Sequence, residues 1–378
     1  MENKKILFVT GTRADYGKLK SLMKAVEQLD NFDLHILVTG MHLLEDYGYT
    51  VNEIKKDNYK NIHQKSNYAD DNKMDLQLAK TITIISEFVE NNRPDLIVVH
   101  GDRLEALAGA LTGAINNIRV AHIEGGEISG TIDESFRHAI TKMSHIHLVA
   151  NEESKNRIIQ LGESEDSIFV IGSPDIDIML SKNIPTFQQF KEKYDVPFED
   201  YAISMYHPVV SEVTLLSDNI KEYVDALIES NRNYIVVYPN NDTGSKIIIK
   251  ELERLKNNKR FRIFPSIRFE YFITCLKNCH YIVGNSSAGI REAGVFNKVA
   301  IDIGSRQSGR YNIDNQKNII HVAENKTEIL SAIEKVDNID INNEMVFGDG
   351  DSTKKFIEIL KSGKIFEIDI QKRFVDIE

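Results

Sequence analysis

The residues best placed to do chemistry fall between Val98 and Asp133. The chain there reads Val98-Val99-His100-Gly101-Asp102-Arg103, then a helical run, then Val120-Ala121-His122-Ile123-Glu124-Gly125-Gly126-Glu127, and closes on Gly130-Thr131-Ile132-Asp133. Two apolar runs of the buried-strand type each end in a carboxylate beside glycine. In a parallel α/β sheet, the residues just past the carboxyl ends of the strands line the ligand crevice. Asp102, Glu124 and Asp133 are therefore expected to converge on one cleft, with Arg103 beside them. One Asp-Gly pair would signify only a turn. Three carboxylates and an arginine within one strand-helix-strand unit point to a site.

A complementary set lies elsewhere. Ser286-Ser287 follows the apolar run Tyr281-Ile282-Val283 and opens a helical stretch carrying Arg291 and Glu292. Free N–H groups at a helix start, the positive end of its dipole and two hydroxyls suit a diphosphate. Glu292 can accept from ribose hydroxyls, and Arg306 and His207, both at strand ends, add donors. Near the N-terminus, Gly11-Thr12-Arg13-Ala14-Asp15-Tyr16-Gly17 joins a strand to a helix, offering an arginine and backbone N–H groups. It contains neither G-x-G-x-x-G nor a P-loop, so the usual dinucleotide and triphosphate fingerprints are absent. Cations and hydroxyls largely on one wall and carboxylates on the other fit a nucleotide diphospho-sugar, with the sugar facing Asp102, Glu124 and Asp133. No H-E-x-x-H and no convincing carboxylate pair signals a metal, so no cofactor is expected. Arginines and helix N–H groups would then stabilise a departing diphosphate. His122, His138, His145 and His147 read as supporting or core residues.

The elements that must position these groups are legible as continuous apolar runs. Strands are expected at Lys4–Thr10, Leu34–Thr39, Asp95–Val99, Ile118–Ile123, Ile146–Ala150 and Ile168–Ile171, alternating with helices. Runs without a polar face suit strands covered by helices on both sides, hence an α/β doubly wound sheet of about six strands. A polar stretch with Pro185 then breaks the pattern, which restarts with strands at Ala202–Tyr206, Tyr234–Tyr238, Tyr281–Val283 and Val299–Ile303. Helices are expected over Leu76–Phe88, Leu216–Ile228, Lys246–Leu255, Lys326–Val336 and Ser352–Leu360. The expected organisation is an N-terminal sugar-side domain over 1–182 and a C-terminal nucleotide domain over 183–362. A tail over 363–378 would cross back to the first domain, and a ligand cleft would lie between the two.

Composition narrows the rest. A chain of 378 residues exceeds one ordinary core, which requires two domains. Net charge of −11 argues against nucleic acid or an anionic membrane as partner, so an anionic ligand needs a local cationic site. No apolar run approaches a membrane span, and Met1-Glu2-Asn3-Lys4-Lys5 lacks the apolar region of a signal peptide; the expectation is a cytoplasmic protein. The two cysteines, Cys275 and Cys279, sit four apart among apolar residues and read as buried core thiols.

With these residues in view, the chain resembles the hydrolysing UDP-N-acetylglucosamine 2-epimerases of bacterial sialic-acid and capsule biosynthesis, and the epimerase half of the bifunctional animal enzyme. The matching pieces are Thr12 to Lys18, Thr39-Gly40-Met41-His42, His100 to Arg103, His122 to Glu127, Asp133 with Arg137 to Lys142, and Gly172-Ser173-Pro174-Asp175. They continue with His207-Pro208, Asp242 to Ser245, Gly284 to Ser287 and Gly304 to Gln307. The resemblance runs from about residue 4 to about residue 320 in unbroken motif order. It implies a GT-B-like fold of two Rossmann-like domains, a UDP-sugar substrate, no metal, and assembly as a homodimer or homotetramer. It also implies a two-stage reaction. The C2 proton is removed as UDP leaves C1, giving a 2-acetamidoglucal, and water then adds to give N-acetylmannosamine. Carried onto this chain, Asp102, Glu124 and Asp133 are the acid/base residues. Arg13, Asp15, Arg103, His207, Asn240, Ser286, Ser287, Glu292 and Arg306 bind the substrate. Close like charges should keep one of the three carboxylates protonated.

Three other readings remain. One is the same chemistry on a UDP-diacetamido-trideoxyhexose of the legionaminic-acid type. Another is a GT-B glycosyltransferase, which fold alone does not exclude. The third is a non-catalytic sugar-nucleotide sensor, which would have no reason to keep three carboxylates in its cleft.

Overall fold

A computed structural model describes residues 3–68, 73–129, 132–311, 317–339, 341 and 345–376. The chain divides into two compact units, one of residues 1–127, 133–181 and 346–378, the other of 128–132 and 182–345. Among the described residues each unit holds one wholly parallel sheet, and no helix is long and apolar enough to cross a membrane.

In the first unit the strands are β1 (Lys4–Thr10), β2 (Phe32–Val38), β3 (Ile62–Gln64), β4 (Leu96–His100), β5 (Arg119–Ile123), β6 (Ile146–Val149) and β7 (Ile168–Val170). Their order across the sheet is β3-β2-β1-β4-β5-β6-β7. Successive side chains on a strand point to opposite faces, and β1 shows what its unbroken apolar run achieves. Ile6 and Phe8 pack with Leu19, Leu22 and Met23 of the helix Arg13–Glu27, whereas Leu7 and Val9 pack with Ile84, Ile85 and Phe88 of the helix Met74–Asn92. Both faces are thus covered, as a parallel sheet requires.

In the second unit the strands are β8 (Ala202–Met205), β9 (Tyr234–Val237), β10 (Phe261–Phe264), β11 (Tyr281–Gly284), β12 (Val299–Ile303) and β13 (Ile319–Val322), ordered β10-β9-β8-β11-β12-β13. In each sheet the chain winds outward one way, returns to the middle and winds outward the other way. The order therefore reverses between β1 and β4, and again between β8 and β11. Such switch points open a crevice at the carboxyl ends of the strands, where ligands bind.

Three strands that the apolar runs do not announce complete the sheets: β3, β10 and β13. All are sheet edges. An edge strand needs one neighbour only and tolerates polar side chains, here His63 and Gln64, Arg262, and His321.

The return to the first unit also comes earlier than expected, at Val346 rather than residue 363. The helix Ser352–Ser362 belongs there because Phe356 and Leu360 are buried in the same core as Phe8. The backbone N–H groups of Ser352 and Thr353 donate to the Asp177 carboxylate at 2.9 and 2.7 Å, so a side chain of the first unit caps that helix. Cys275 and Cys279 are buried free thiols, the latter pushed up to about 12 by burial.

Candidate active site

The switch point of the first sheet lies between the loop after β1 and the loop after β4. Thr12 caps the helix Arg13–Glu27, accepting the Asp15 N–H at 3.1 Å, and the Asp15 carboxylate accepts the Gly11 N–H at 3.2 Å. These bonds fix Asp15 at the strand end. His100, the last residue of β4, faces it with Nδ1 3.0 Å from Asp15 Oδ1. Its Nε2 lies 3.1 Å from Glu124 Oε2, just beyond β5. Burial alone would strip the charge from His100. The Glu124 and Asp15 carboxylates outweigh it and raise the ring to about 9.

Glu124 is constrained from several sides. Its φ of 61° is in the left-handed region, which a residue with a side chain occupies only where its surroundings compel it. Ser173 donates to its Oε1. Lys18 Nζ lies 3.7 Å from its Oε2 and 3.0 Å from Asp175 Oδ2. Both Glu124 and Asp175 are buried.

Asp102, just past β4, pairs with Arg137. Arg137 lies on the helix Ile132–Met143, whose first turn carries Asp133. Arg103 stands at the N-cap of the helix Leu104–Ile115. Glu124 and Asp102 thus each have a cation as neighbour, where the sequence suggested mutual repulsion among carboxylates. A cation beside a carboxylate favours its charged form. Under β4 and β5, His122 sets its Nε2 2.8 Å from the Gly101 carbonyl, and burial pushes the ring down to about 3. It is therefore a neutral prop for the Gly101 turn, whose φ of 70° suits glycine.

Arg13 has a carboxylate neighbour. Its Nη2 is 2.5 Å from Glu53 Oε1 on the short helix Val51–Lys56. A folded partner that far away in sequence leaves no local signal.

In the second unit the switch point is organised by Asn285, fully buried after β11. Its Oδ1 accepts the His207 N–H at 2.6 Å and its Nδ2 donates to the His207 carbonyl at 2.9 Å, joining the ends of β8 and β11. Its own carbonyl accepts from Arg306 Nη1 at 3.2 Å and Gln307 Nε2 at 2.8 Å, which fixes the loop after β12. The Asn240 N–H donates to His207 Nδ1 at 3.1 Å. A neutral His207 ring therefore carries its proton on Nε2. His207, Asn240 and Arg306 are thus gathered around one asparagine.

The Ser286-Ser287 segment differs from expectation. Ser286 caps a helix of only four residues, Ser287–Ile290, its hydroxyl accepting from Ala288 N–H at 3.3 Å. Arg291 interrupts the run and Glu292–Val295 begins a second short turn. Gly289 and Gly294 lower the helix propensity of this stretch. The dipole of a long helix is missing here, so backbone N–H groups and hydroxyls are what this segment offers an anion. Glu292 is buried at its start.

The residues that sequence reasoning left out of the site are His100, Lys18, Ser173, Asp175, Arg137 and Asn285. All but Arg137 and Lys18, which lie further along helices, sit at or just past strand ends or on the first turns that follow. Their position was a usable signal, but their charge pairing was not. Among the described residues no group of three or more His, Cys, Asp or Glu is arranged to hold a metal ion.

Two parallel Rossmann-like sheets, each with polar groups at its switch point, make this a GT-B-like α/β protein. A family model described as UDP-N-acetylglucosamine 2-epimerase matches residues 24–361, and the chain belongs to that family. A UDP-N-acetylglucosamine 2-epimerase of Neisseria meningitidis serogroup B is 45% identical over 99% of both chains. A UDP-N,N'-diacetylbacillosamine 2-epimerase (hydrolyzing) of Legionella pneumophila is 37% identical over 95% of this chain and 96% of its own. The crystal structure of the Methanocaldococcus jannaschii UDP-GlcNAc 2-epimerase in complex with UDP-GlcNAc and UDP has the same fold. It gives a TM-score of 0.80 at 24% identity, covering 95% of this chain and 100% of that one.

Proposed function

We propose that the chain is a hydrolysing epimerase, converting UDP-N-acetylglucosamine and water to N-acetylmannosamine and UDP as the supply step for a sialic-acid or capsule precursor. The observation that carries this reading is the carboxylate set at the first switch point. Glu124 is forced into a left-handed backbone and ringed by His100, Lys18 and Ser173, with Asp102 held by Arg137. The named activities of the Neisseria and Legionella relatives support it.

In the proposed reaction a carboxylate of the first unit takes the C2 proton. The C2–H electron pair forms the C1–C2 double bond as the C1–O bond breaks, and its electrons leave on UDP. Water then adds across the double bond, its oxygen at C1 and a proton at C2 on the opposite face, to give the epimerised sugar. The C2 proton is weakly acidic, so stabilising the departing diphosphate bears much of the barrier. Arg306, His207 and the Ser286-Ser287 N–H groups are the residues assigned to the UDP part. Asp102, Glu124 and Asp133 are assigned to the sugar.

A second substrate is favoured by one observation, the identity to the Legionella protein named for UDP-N,N'-diacetylbacillosamine. The test is product analysis by NMR in heavy water with each UDP-sugar and no acceptor. UDP release with deuterium at C2 of a free 2-epimeric sugar supports hydrolysis. A UDP-linked epimer with no free sugar sinks the hydrolysing reading, and faster turnover of the diacetamido sugar replaces the substrate.

A further inference from the structure

His100 has no role in the reaction described above. Its ring is held between two carboxylates on different elements, with Nδ1 3.0 Å from Asp15 and Nε2 3.1 Å from Glu124. Also facing this cluster are Ser173, which donates to Glu124 Oε1, Lys18, 3.7 Å from Glu124 Oε2, and Asp175, 3.0 Å from Lys18. His122 lies nearby and is neutral through burial. The arrangement is a chain of alternating charge, buried at Glu124 and Asp175 and part-buried elsewhere, that runs from Asp15 through His100, Glu124 and Lys18 to Asp175. Its middle carboxylate sits on a strained backbone. A side chain so attached must be aimed by its neighbours, because its own φ,ψ preference would take it elsewhere.

We propose that His100 is a positioning residue for the reaction. Braced against Asp15, it aims Glu124 and keeps that carboxylate ionised for proton transfer at the sugar. The proposal rests on reading Glu124 as one of the acid/base carboxylates. His100 itself keeps its proton throughout; it supplies a fixed positive charge. Ring burial opposes that charge, and the two carboxylates overcome the opposition, so the ring stays an imidazolium until about 9.

The test compares His100→Gln, Asp15→Asn and Glu124→Gln with the native enzyme, measuring kcat and KM for UDP release across the acid and alkaline limbs. His100→Gln keeps a polar side chain at this position and removes the charge. Its kcat should fall about 10²-fold, the scale of one impaired acid–base group, with KM little changed. The acid limb of its kcat should move to higher pH, because a carboxylate that loses a cationic neighbour binds a proton more readily. Asp15→Asn should move both readouts the same way by less. An unmoved acid limb, or a loss confined to KM, overturns the proposal while leaving the carboxylate reading intact. Full turnover by Glu124→Gln instead removes the reading itself. Should the variants unfold, NMR of the native chain decides: a His100 ring that titrates near its ordinary 6.5 overturns the proposal.

Discussion

Arg137 pairs with Asp102 one helical turn beyond Asp133, so a single buried guanidinium ties the end of β4 to the helix that carries a second expected carboxylate. Asp102→Asn should lower kcat by about 10²–10⁴-fold, the usual contribution of one acid–base group, with UDP affinity changed little. Calorimetric titration with UDP beside steady-state rates checks this. Arg137→Met removes a pair that is buried on the arginine side and part-buried on the Asp102 side, and should destabilise the fold by up to about 3–5 kcal/mol, the limit set by a fully buried pair broken from one side. Urea unfolding measures it, and an undiminished midpoint would show the pair to be incidental.

Asn285 makes the corresponding prediction for the second unit. Its side chain bridges the backbones of β8 and β11, and its carbonyl holds Arg306 and Gln307. Asn285→Ala removes both side-chain bonds and leaves the His207 N–H unsatisfied, at about 1–3 kcal/mol for a buried group. The gathered donors should loosen together. UDP should bind roughly tenfold more weakly, since about 1.4 kcal/mol is a factor of ten. A kcat that falls while UDP affinity holds would contradict the assignment of these residues to the nucleotide.

Much of this was legible in the residues themselves. The unbroken apolar runs of β1, β4 and β11 announced a parallel sheet, and a parallel sheet announces where its site must be. The edge strands were hidden because half their surface has no neighbour, which frees residues such as His63 and Arg262 from the pattern. The partners of charge were hidden for another reason. Arg13 meets Glu53, and Asp102 meets Arg137, through packing of elements whose spacing no local period records. A broken helix at Arg291 was readable in principle from Gly289 and Gly294, yet its consequence for the dipole needed the backbone.

His100 also makes stability depend on pH. The ring is raised from 6.5 to about 9 in the folded chain. The folded state therefore binds a proton that the unfolded chain releases across that interval, and stability falls as pH rises through it. The contribution is whole below about 6.5 and gone above about 9. Melting temperatures of the native chain should decline over that window, and those of His100→Gln should decline less. Parallel curves for the two proteins would show that the ring is not the group responsible.

The C-terminal tail offers the final test. Lys372 Nζ is 2.7 Å from the buried Glu163 and donates to the carbonyls of Thr141 at 3.1 Å, Lys142 at 2.8 Å and Ser144. It thus closes the carboxyl end of the same helix Ile132–Met143 that carries Asp133 and Arg137, where a cation meets the negative end of the dipole. Burial opposes the Glu163 charge, but His147, Lys142 and Lys372 together hold that carboxyl down to about 2. Burial draws the Lys372 ammonium down as well; the carboxylate, with three donors, governs the acid behaviour. A depressed carboxyl contributes stability that is present above its ordinary value of 4.5 and lost as pH falls through about 2. Lys372→Met should therefore lower the melting temperature at neutral pH by roughly 3–12 °C, taking about 1.5–3 kcal/mol for one hydrogen bond to a charged group, since Lys142 and His147 still hold Glu163, and about 2–4 °C per kcal/mol for a unit of this size. It should also flatten the acid side of the stability curve. Because the helix end frays before its first turn does, kcat measured well below the melting temperature should stay within about threefold of native. A loss of turnover as large as that of Asp102→Asn would mean that the tail reaches the chemistry itself.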